Sequence, residues 1–252
     1  MAPPAPPPAR VVRCDAADLT AADHARIHGF VTEFMLYERV PLDETLDAAS
    51  YVWLCLDPKG RLVGTTAVRR IDLPAGTGGH QRPVSVVYTS VVAVKPEYRR
   101  AGLPARMGLK TYLHERTRAP LTPLYWLAEA ASPSGYLQMA RNFEVFWPRP
   151  GIVMPAGADD ILTKTLKTAG LTKVERGTGF YRVLDDFGVI EREQAPDKWD
   201  RSDPAVDYFL KSNPDYWTGI SLVCLAPLNI GSVTRAVGGV FLRMWRRRGK
   251  RR

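Results

Sequence analysis

The sequence predicts an α+β fold with a central sheet and helices, followed by a helical C-terminal extension. Residues 51–56 and 62–68 are apolar runs on either side of a Pro-Lys-Gly turn, which predicts an antiparallel hairpin. Residues 84–94 are apolar at consecutive positions, as in a central strand buried on both sides. A helical pattern then begins at Leu103, and another strand and helix follow it.

The N-terminal elements are predicted in chain order. Residues 10–14 form a first strand, and residues 20–40 form a helix with Thr20 as its N-cap. His24 and His28 lie four residues apart on this helix without an evident third ligand, so we expect them to face solvent. The acidic cluster formed by Asp43, Glu44 and Asp47 either lies on an exposed helix face or meets an amine substrate.

The elements after residue 119 are predicted from apolar runs, helix caps and turn residues. Residues 124–128 form a strand, and Ser132-Pro133 begins a helix that runs to about Asn142. The aromatic segment 143–150 is a wall of the acceptor pocket or a hydrophobic plug. A short helix over 160–170 ends at Gly170, and residues 173–184 add a strand. Residues 191–203 are a charged linker.

A basic glycine loop connects the central strand to the helix at Leu103. Lys95-Pro96-Glu97 breaks the strand, and the loop continues through Arg99-Arg100-Ala101-Gly102. Free amides at the start of the helix, together with the helix dipole and arginine side chains, favour an anion. The loop is either an anion pocket or a solvated turn between a strand and a helix.

This stretch resembles the acyl-CoA loop of the GNAT acyltransferase superfamily, written R/Q-x-x-G-x-G/A after a V-x-P-x-x-R/Q lead-in. Here it reads Arg99-x-x-Gly102-x-Pro104 after Val94-Lys95-Pro96-Glu97-Tyr98, and Pro104 departs from the pattern. Proline removes one amide from the loop. The predicted order of helices and strands over residues 10–185 is similar to the GNAT order, so the resemblance implies a mixed, mostly antiparallel central sheet flanked by helices. The resemblance implies a cleft between the strand 84–94 and the strand 124–128.

The resemblance also implies the ligand and the residues that bind it. The cosubstrate is acetyl-CoA or a longer acyl-CoA, or an acyl carrier protein bearing the same phosphopantetheine, and no metal is expected. The implied binding residues are Val92, Ala93, Val94, Arg99, Arg100, Ala101, Gly102, Leu103, Pro104 and Ala105. The backbone of the strand pairs with the pantetheine, and an amide near Val92 binds the oxyanion.

The catalytic side is less regular than the family pattern. The central strand 84–94 contains no acidic residue, so Glu129 is the candidate base, or else an exposed carboxylate at a strand end. The family places a tyrosine on the helix after the second strand, where this chain has Met139. Tyr136, one turn earlier, is the substitute donor, unless it packs in the core. Tyr88 is a third candidate that could point into the cleft.

Composition and charge place further bounds on function. The net charge is +9, and the last ten residues carry seven positive charges, leaving +2 for residues 1–242. Cys14, Cys55 and Cys224 show neither metal-ligand spacing nor a disulfide framework, which favours a reducing cytoplasm. Residues 1–9 are proline-rich and predicted to be disordered.

The predicted division is an acyltransferase domain over residues 10–190 and an extension over 191–252. Residues 233–252 combine an apolar side with a basic end, which fits an anionic membrane surface or a helix docked on the body. Nucleic acid is disfavoured because the basic run is brief. The sequence therefore predicts a GNAT-type N-acyltransferase, cytoplasmic or peripheral at the membrane, with an unidentified amine acceptor. The alternative is a catalytically idle module that binds a membrane or protein partner through its C-terminus.

Overall fold

A computed structural model describes most of the chain. It covers residues 6–37, 39–171, 182–184, 187–189, 198–236 and 238–239. The predicted disordered segment 1–9, the linker 191–203 and the strand 173–184 are therefore described only in part. The basic end of the chain, residues 240–252, lies outside the described residues.

The described residues form a sheet of seven strands and a separate two-stranded ribbon. The strands are β1 (Arg10–Asp15), β2 (Met35–Tyr37), β3 (Tyr51–Leu56), β4 (Leu62–Leu73), β5 (Val84–Val94), β6 (Leu124–Ala130), β7 (Arg182–Leu184), β8 (Phe187–Val189) and β9 (Ile220–Pro227). The order in the large sheet is β1-β3-β4-β5-β6-β9-β7, and β2 pairs with β8.

Seven numbered α-helices and a short C-terminal helix accompany these strands in the described residues. The numbered helices are α1 (Ala21–Val31), α2 (Arg39–Asp47), α3 (Pro96–Arg100), α4 (Leu103–Arg118), α5 (Pro133–Asn142), α6 (Ala156–Ala169) and α7 (Pro204–Ser212). Residues 230–236 are also helical, and we call them the C-terminal helix.

The predicted fold class is confirmed by the sheet topology. β5 and β6 are parallel, and the other neighbours in the large sheet pair antiparallel. The order helix, hairpin, long strand, loop, helix, strand, helix is the one predicted. The bounds of β3 and β5 agree with the prediction, whereas β4 continues to Leu73, five residues beyond its predicted end.

Helices cover both faces of the large sheet. On one face, which we call the α4 face, α4, α5 and α7 bury side chains against Val87 of β5 and Leu222 of β9. On the opposite face, the α1 face, α6 packs against Val86 and Leu127. α1 and α2 pack on the same face against Val91 and Ala93. Because both faces are covered, β9 is buried at every position but the last, and β5 carries buried apolar residues on both faces.

The helix predicted over residues 20–40 is too long. α1 ends at Val31, and α2 begins only at Arg39. The N-cap is as predicted, since Thr20 and Asp23 form a reciprocal capping box. Phe34 lies beyond the end of α1 but is buried in the same core as Phe30. The apolar spacing therefore continued through a turn, and periodicity alone did not reveal the helix end.

The apolar run at 220–230 proves to be mainly an internal strand. β9 lies between β6 and β7, and residues 222–226 are fully buried. A strand that is covered on both faces is apolar throughout, which explains this run. The predicted extension is helical at α7 and at the C-terminal helix, but it also completes the sheet.

One smaller difference concerns the start of α6. α6 begins at Ala156, four residues before the predicted start, and ends as predicted at Gly170 with a φ of +76°. Among the described residues, no helix has both the length and the apolar character needed to cross a bilayer.

Candidate functional site

The parallel strands β5 and β6 separate beside the glycine loop. Their pairing runs from Ser85–Leu124 to Thr89–Ala128 and then stops, although β5 continues to Val94. Beyond Thr89 the two strand edges therefore face each other across a gap. Peptide groups along such a gap are available to a ligand that lies between the strands.

A bulge in β5 coincides with the start of this gap. Ala67 of β4 pairs with Ser90, whereas Thr65 pairs with Ala93, so β5 has one residue more than β4 over this stretch. Val91 has a φ of +52°, a conformation that is rare for a β-branched residue. A bulge bends its strand, which directs the end of β5 away from β6.

The glycine loop follows the gap directly. α3 is a single turn, and Gly102 takes a left-handed conformation with a φ of +83° as the N-cap of α4. The Nε of Arg99 donates to the carbonyl of Val94 at 2.6 Å, and its guanidinium lies 5.5 Å from the centre of the Phe34 ring. Arg99 thus fastens the loop to the strand end. Arg100 is in α3, but its side chain lies outside the described residues.

The N-terminus of α4 presents backbone amides at the loop. Its first three residues are Leu103, Pro104 and Ala105, and the amide of Arg106 already bonds to the Gly102 carbonyl at 3.2 Å. The amides of Leu103 and Ala105 have no acceptor within the helix, because they belong to its first turn. Pro104 has no amide to offer. Two amides and the positive end of the helix dipole therefore remain for an anion.

A cavity of about 250 Å³ extends from this helix end along the α4 face. Its walls come from β5, β6, α4, α5 and the C-terminal helix. Residues lining it include Val87, Thr89, Val92, Pro104, Ala105, Gly108, Tyr112, Trp126, Glu129, Gly135, Gln138, Phe143, Leu228, Val233 and Ala236. Of the predicted cofactor residues, Val92, Pro104 and Ala105 line this cavity, whereas Ala93, Val94, Ala101, Gly102 and Leu103 form the adjoining strand end and loop.

Two of the predicted catalytic residues lie together at the gap. The hydroxyl of Tyr88 donates a hydrogen bond to Oε1 of Glu129. Tyr88 is opposite Leu127 in the strand register, so Glu129 is two residues further along β6, just beyond the last pair. Glu129 is also among the residues that line the cavity, although Tyr88 and Leu127 pack on the α1 face. The Tyr88 phenol and the Glu129 carboxylate are thus hydrogen-bonded to each other where β5 and β6 separate.

The third predicted catalytic residue lies elsewhere. Tyr136 is fully buried, and its hydroxyl donates to the carbonyl of Pro148 at 3.1 Å. Its ring packs against Phe146 and Phe209. Burial raises the pKa of the Tyr136 phenol. This environment is the aromatic core packing that the sequence left open as the alternative for Tyr136.

The segment 143–150 also contributes mainly to the core. Phe146 is fully buried against Tyr136, and Trp147 pairs with Leu225 of β9 through its backbone. Phe143 alone of these residues lines the cavity, on the α4 face. The hydrophobic plug is therefore the better description of this segment.

Some site residues were not found by sequence reasoning. Trp126 lines the cavity and donates from Nε1 to Oγ1 of Thr89 at 2.8 Å. Gln138 and Gly135 line it from α5. A signal for Trp126 was present, because alternate residues of β6 must face the α4 side. The contributions of α5 depend on how that helix packs, which spacing alone does not reveal.

His24 is not solvent-facing, contrary to expectation. Its Nδ1 lies 2.9 Å from Oδ1 of Asp43, and its side chain is only 13% exposed. Its Nε2 lies 3.6 Å from Asp47, so two residues of the acidic cluster join α2 to α1. Across the described residues, no group of three or more His, Cys, Asp or Glu side chains is arranged to hold a metal ion.

Two of the three cysteines are buried in the core, and Cys14 is partly exposed. Cys55 and Cys224 are buried and all three thiols are free. Burial raises the pKa of the Cys55 thiol to about 12. A thiol with so high a pKa is a poor nucleophile at neutral pH.

No protein-family model and no curated protein matches this chain. Solved structures do match it. YhbS from Escherichia coli, a GNAT family N-acetyltransferase in complex with CoA, is 16% identical over 57% of this chain and 72% of that chain, with a TM-score of 0.41. An acyl-CoA N-acyltransferase from Pseudomonas aeruginosa is 15% identical over 68% and 93%, with a TM-score of 0.37. NAA60 from Arabidopsis thaliana, in complex with a bisubstrate analogue, is 11% identical over 87% and 100%, with a TM-score of 0.38. At identities and TM-scores this low, the functional assignment depends on the geometry of the site.

Proposed function

We propose that this chain is a GNAT-type acyltransferase that moves an acyl group from acyl-CoA to an amine acceptor. The observation that carries the proposal is the Tyr88–Glu129 pair, which lies where β5 and β6 separate and beside a cavity that begins at the N-terminus of α4. An anion site, a groove that fits an extended arm and a proton acceptor thus lie next to one another.

The residues present fit the parts of acyl-CoA. The amides of Leu103 and Ala105 and the dipole of α4 suit the pyrophosphate. The unpaired edge of β5 beyond Thr89 suits the amides of the pantetheine arm. An acyl carrier protein presents the same arm with one phosphate, so it is the second donor to test.

Each group has a defined role in the proposed reaction. The amine nitrogen attacks the thioester carbonyl carbon, the N–C bond forms and the C–S bond breaks. Glu129 accepts the proton that the amine loses, and the departing thiolate takes that proton to become the thiol. Tyr88 is a positioning residue that holds the Glu129 carboxylate by its hydrogen bond. A backbone amide near Val92 is the oxyanion donor.

Ligand binding is tested first. We expect CoA, acetyl-CoA and a long-chain acyl-CoA to raise the melting temperature, because a ligand at 100 times its Kd stabilises a fold by about 2.7 kcal/mol. Gly102→Trp should abolish the shift, since it places a large side chain where the loop takes a φ of +83°. The proposal fails if none of these ligands stabilises the wild-type protein.

Chemistry is tested with the same donors and a panel of primary amines, by following thiol release. Glu129→Gln should lower turnover by about 10²–10⁴-fold, the usual contribution of a general base. The variant should keep its CoA-induced thermal shift, because the loop is untouched. Retention of full turnover by Glu129→Gln would remove this residue from the mechanism.

The membrane contact of residues 233–252 remains a separate proposal. The C-terminal helix begins at Ile230, which is 72% exposed, and the basic residues that follow lie beyond those described. Co-sedimentation with anionic liposomes, with and without residues 240–252, tests it. Equal binding by both forms would exclude a role for the basic end.

A further inference from the structure

The cavity continues well past the gap between β5 and β6. Its near part lies beside Val92, Pro104 and Ala105, at the start of α4. Its far part reaches Tyr112 on the same helix. Eight residues of α-helix separate Pro104 from Tyr112, a distance of about 12 Å. The cavity therefore extends about 12 Å along α4 from its opening at the loop.

The far part of the cavity is mainly apolar, although Thr111 beside Tyr112 and Asn142 beside Phe143 also line it. Its walls include Val87, Phe143, Leu228 and Val233. The indole nitrogen of Trp126 is already hydrogen-bonded to Thr89, so it offers no donor to a ligand. An amide-containing arm would lose hydrogen bonds in such a space, whereas an alkyl chain loses none. The chemistry of the far part therefore matches a hydrocarbon.

The C-terminal segment closes this part of the cavity and is firmly anchored. The amide of Leu228 donates to the Leu124 carbonyl at 2.7 Å, and the Leu228 carbonyl accepts from Arg116 at 3.0 Å. Asn229 and Ser232 cap the helix reciprocally, at 2.8 Å and 3.1 Å. A wall that is already ordered needs no rearrangement when a ligand binds.

We propose that the far part of the cavity is an acyl-chain pocket and that the C-terminal helix is the wall that limits chain length. The proposal rests on the proposed function and names its donor class, a medium-chain acyl-CoA. Because the near part of the cavity holds the pantetheine arm and the C-terminal helix closes the far part, a medium chain such as octanoyl is the longest that we expect to fit. Ala236, whose small side chain lines the pocket, is the specificity-determining position.

The test is a calorimetric titration of the full chain with CoA, acetyl-CoA, butyryl-CoA, octanoyl-CoA and palmitoyl-CoA. A fully buried methylene group strengthens binding about fourfold. We expect octanoyl-CoA to bind at least tenfold more tightly than acetyl-CoA, and palmitoyl-CoA to gain nothing further.

Ala236→Phe should weaken octanoyl-CoA at least tenfold and leave CoA and acetyl-CoA within twofold. Thr234→Phe is the matched control, because Thr234 lies on the same helix but is exposed. It should bind all five ligands as the wild type does, and circular dichroism checks that both variants fold.

The two proposals fail in different ways. If CoA binds but octanoyl-CoA gains nothing, or if Ala236→Phe weakens every ligand equally, the acyl pocket is overturned and the CoA site stands. If CoA does not bind, a titration with octanoyl-pantetheine tests the acyl pocket separately from the CoA site. Its binding to the wild type and its loss in Ala236→Phe would support the pocket without the CoA site, and no binding to the wild type would overturn the pocket.

Discussion

Two tyrosines that the sequence could not rank differ sharply in their surroundings. Tyr88 donates to Glu129 at the gap, whereas Tyr136 donates to a backbone carbonyl inside an aromatic core. Tyr136→Phe should destabilise the fold by about 1 kcal/mol, because it leaves a buried carbonyl without its partner, and should leave turnover per folded molecule unchanged. Tyr88→Phe should lower turnover about tenfold or more, since Glu129 loses its positioning contact.

Urea denaturation and thiol-release kinetics on both variants separate these effects. Because the same atom is removed in each, either variant serves as the control for the other. A loss of turnover in Tyr136→Phe, with Tyr88→Phe fully active, would reverse the assignment of the two residues.

At the scale of single elements, the loop and the helix starts were predictable from local chemistry. Gly102, Ser132-Pro133 and the Thr20 capping box depend on neighbouring residues only, and all lie where the sequence put them. The bulge at Val91 was not predictable, because it depends on the register against β4. The Tyr88–Glu129 contact depends on the parallel pairing of β5 with β6, so the sequence alone did not reveal it either.

The conformation of Gly102 can be tested against a helical glycine. Gly102→Ala should destabilise the fold by about 1–2 kcal/mol, since alanine in a left-handed conformation is strained. Gly29→Ala should stabilise it by about 0.5–1 kcal/mol, because Gly29 is inside α1 and an added Cβ would have nothing within 4 Å. Urea denaturation measures both, and equal changes in the two variants would contradict the assigned loop conformation.

A carboxylate that joins α6 to the loop 74–83 gives the fold an acid sensitivity. Hydrogen bonds from Lys164 and from the Gly78 amide lower the pKa of Asp160 below its ordinary value of 3.8. A lowered pKa in the folded state means that Asp160 adds stability above pH 3.8 and loses it as the pH falls further. The wild type should therefore melt above Asp160→Asn at pH 6, and the difference should vanish toward pH 2. A difference that stays constant across this range would contradict the linkage.

At the scale of the whole molecule, the large sheet contains strands from both sides of the predicted division at residue 190. β9 pairs with β6 over six residues, from Tyr125–Pro227 to Ala130–Leu222. α7 and the C-terminal helix bury Phe209 and Val233 in the same core as α4 and α5. The charged residues of the segment 191–203 predicted a boundary, but strand pairing between distant segments leaves no trace in local composition.

Removing the last part of the chain should therefore unfold the rest. Leu222, Val223 and Leu225 are fully buried, and each contributes about 2 kcal/mol by burial. Their sum approaches the net stability of a typical domain, about 5–15 kcal/mol, and β6 would also lose a strand partner. A fragment of residues 1–197 should show no cooperative thermal transition by circular dichroism. A fragment of residues 1–239, which keeps β9 and the C-terminal helix, should melt cooperatively near the full chain. Cooperative melting of the shorter fragment would show instead that residues 10–190 form an independent domain, as the sequence predicted.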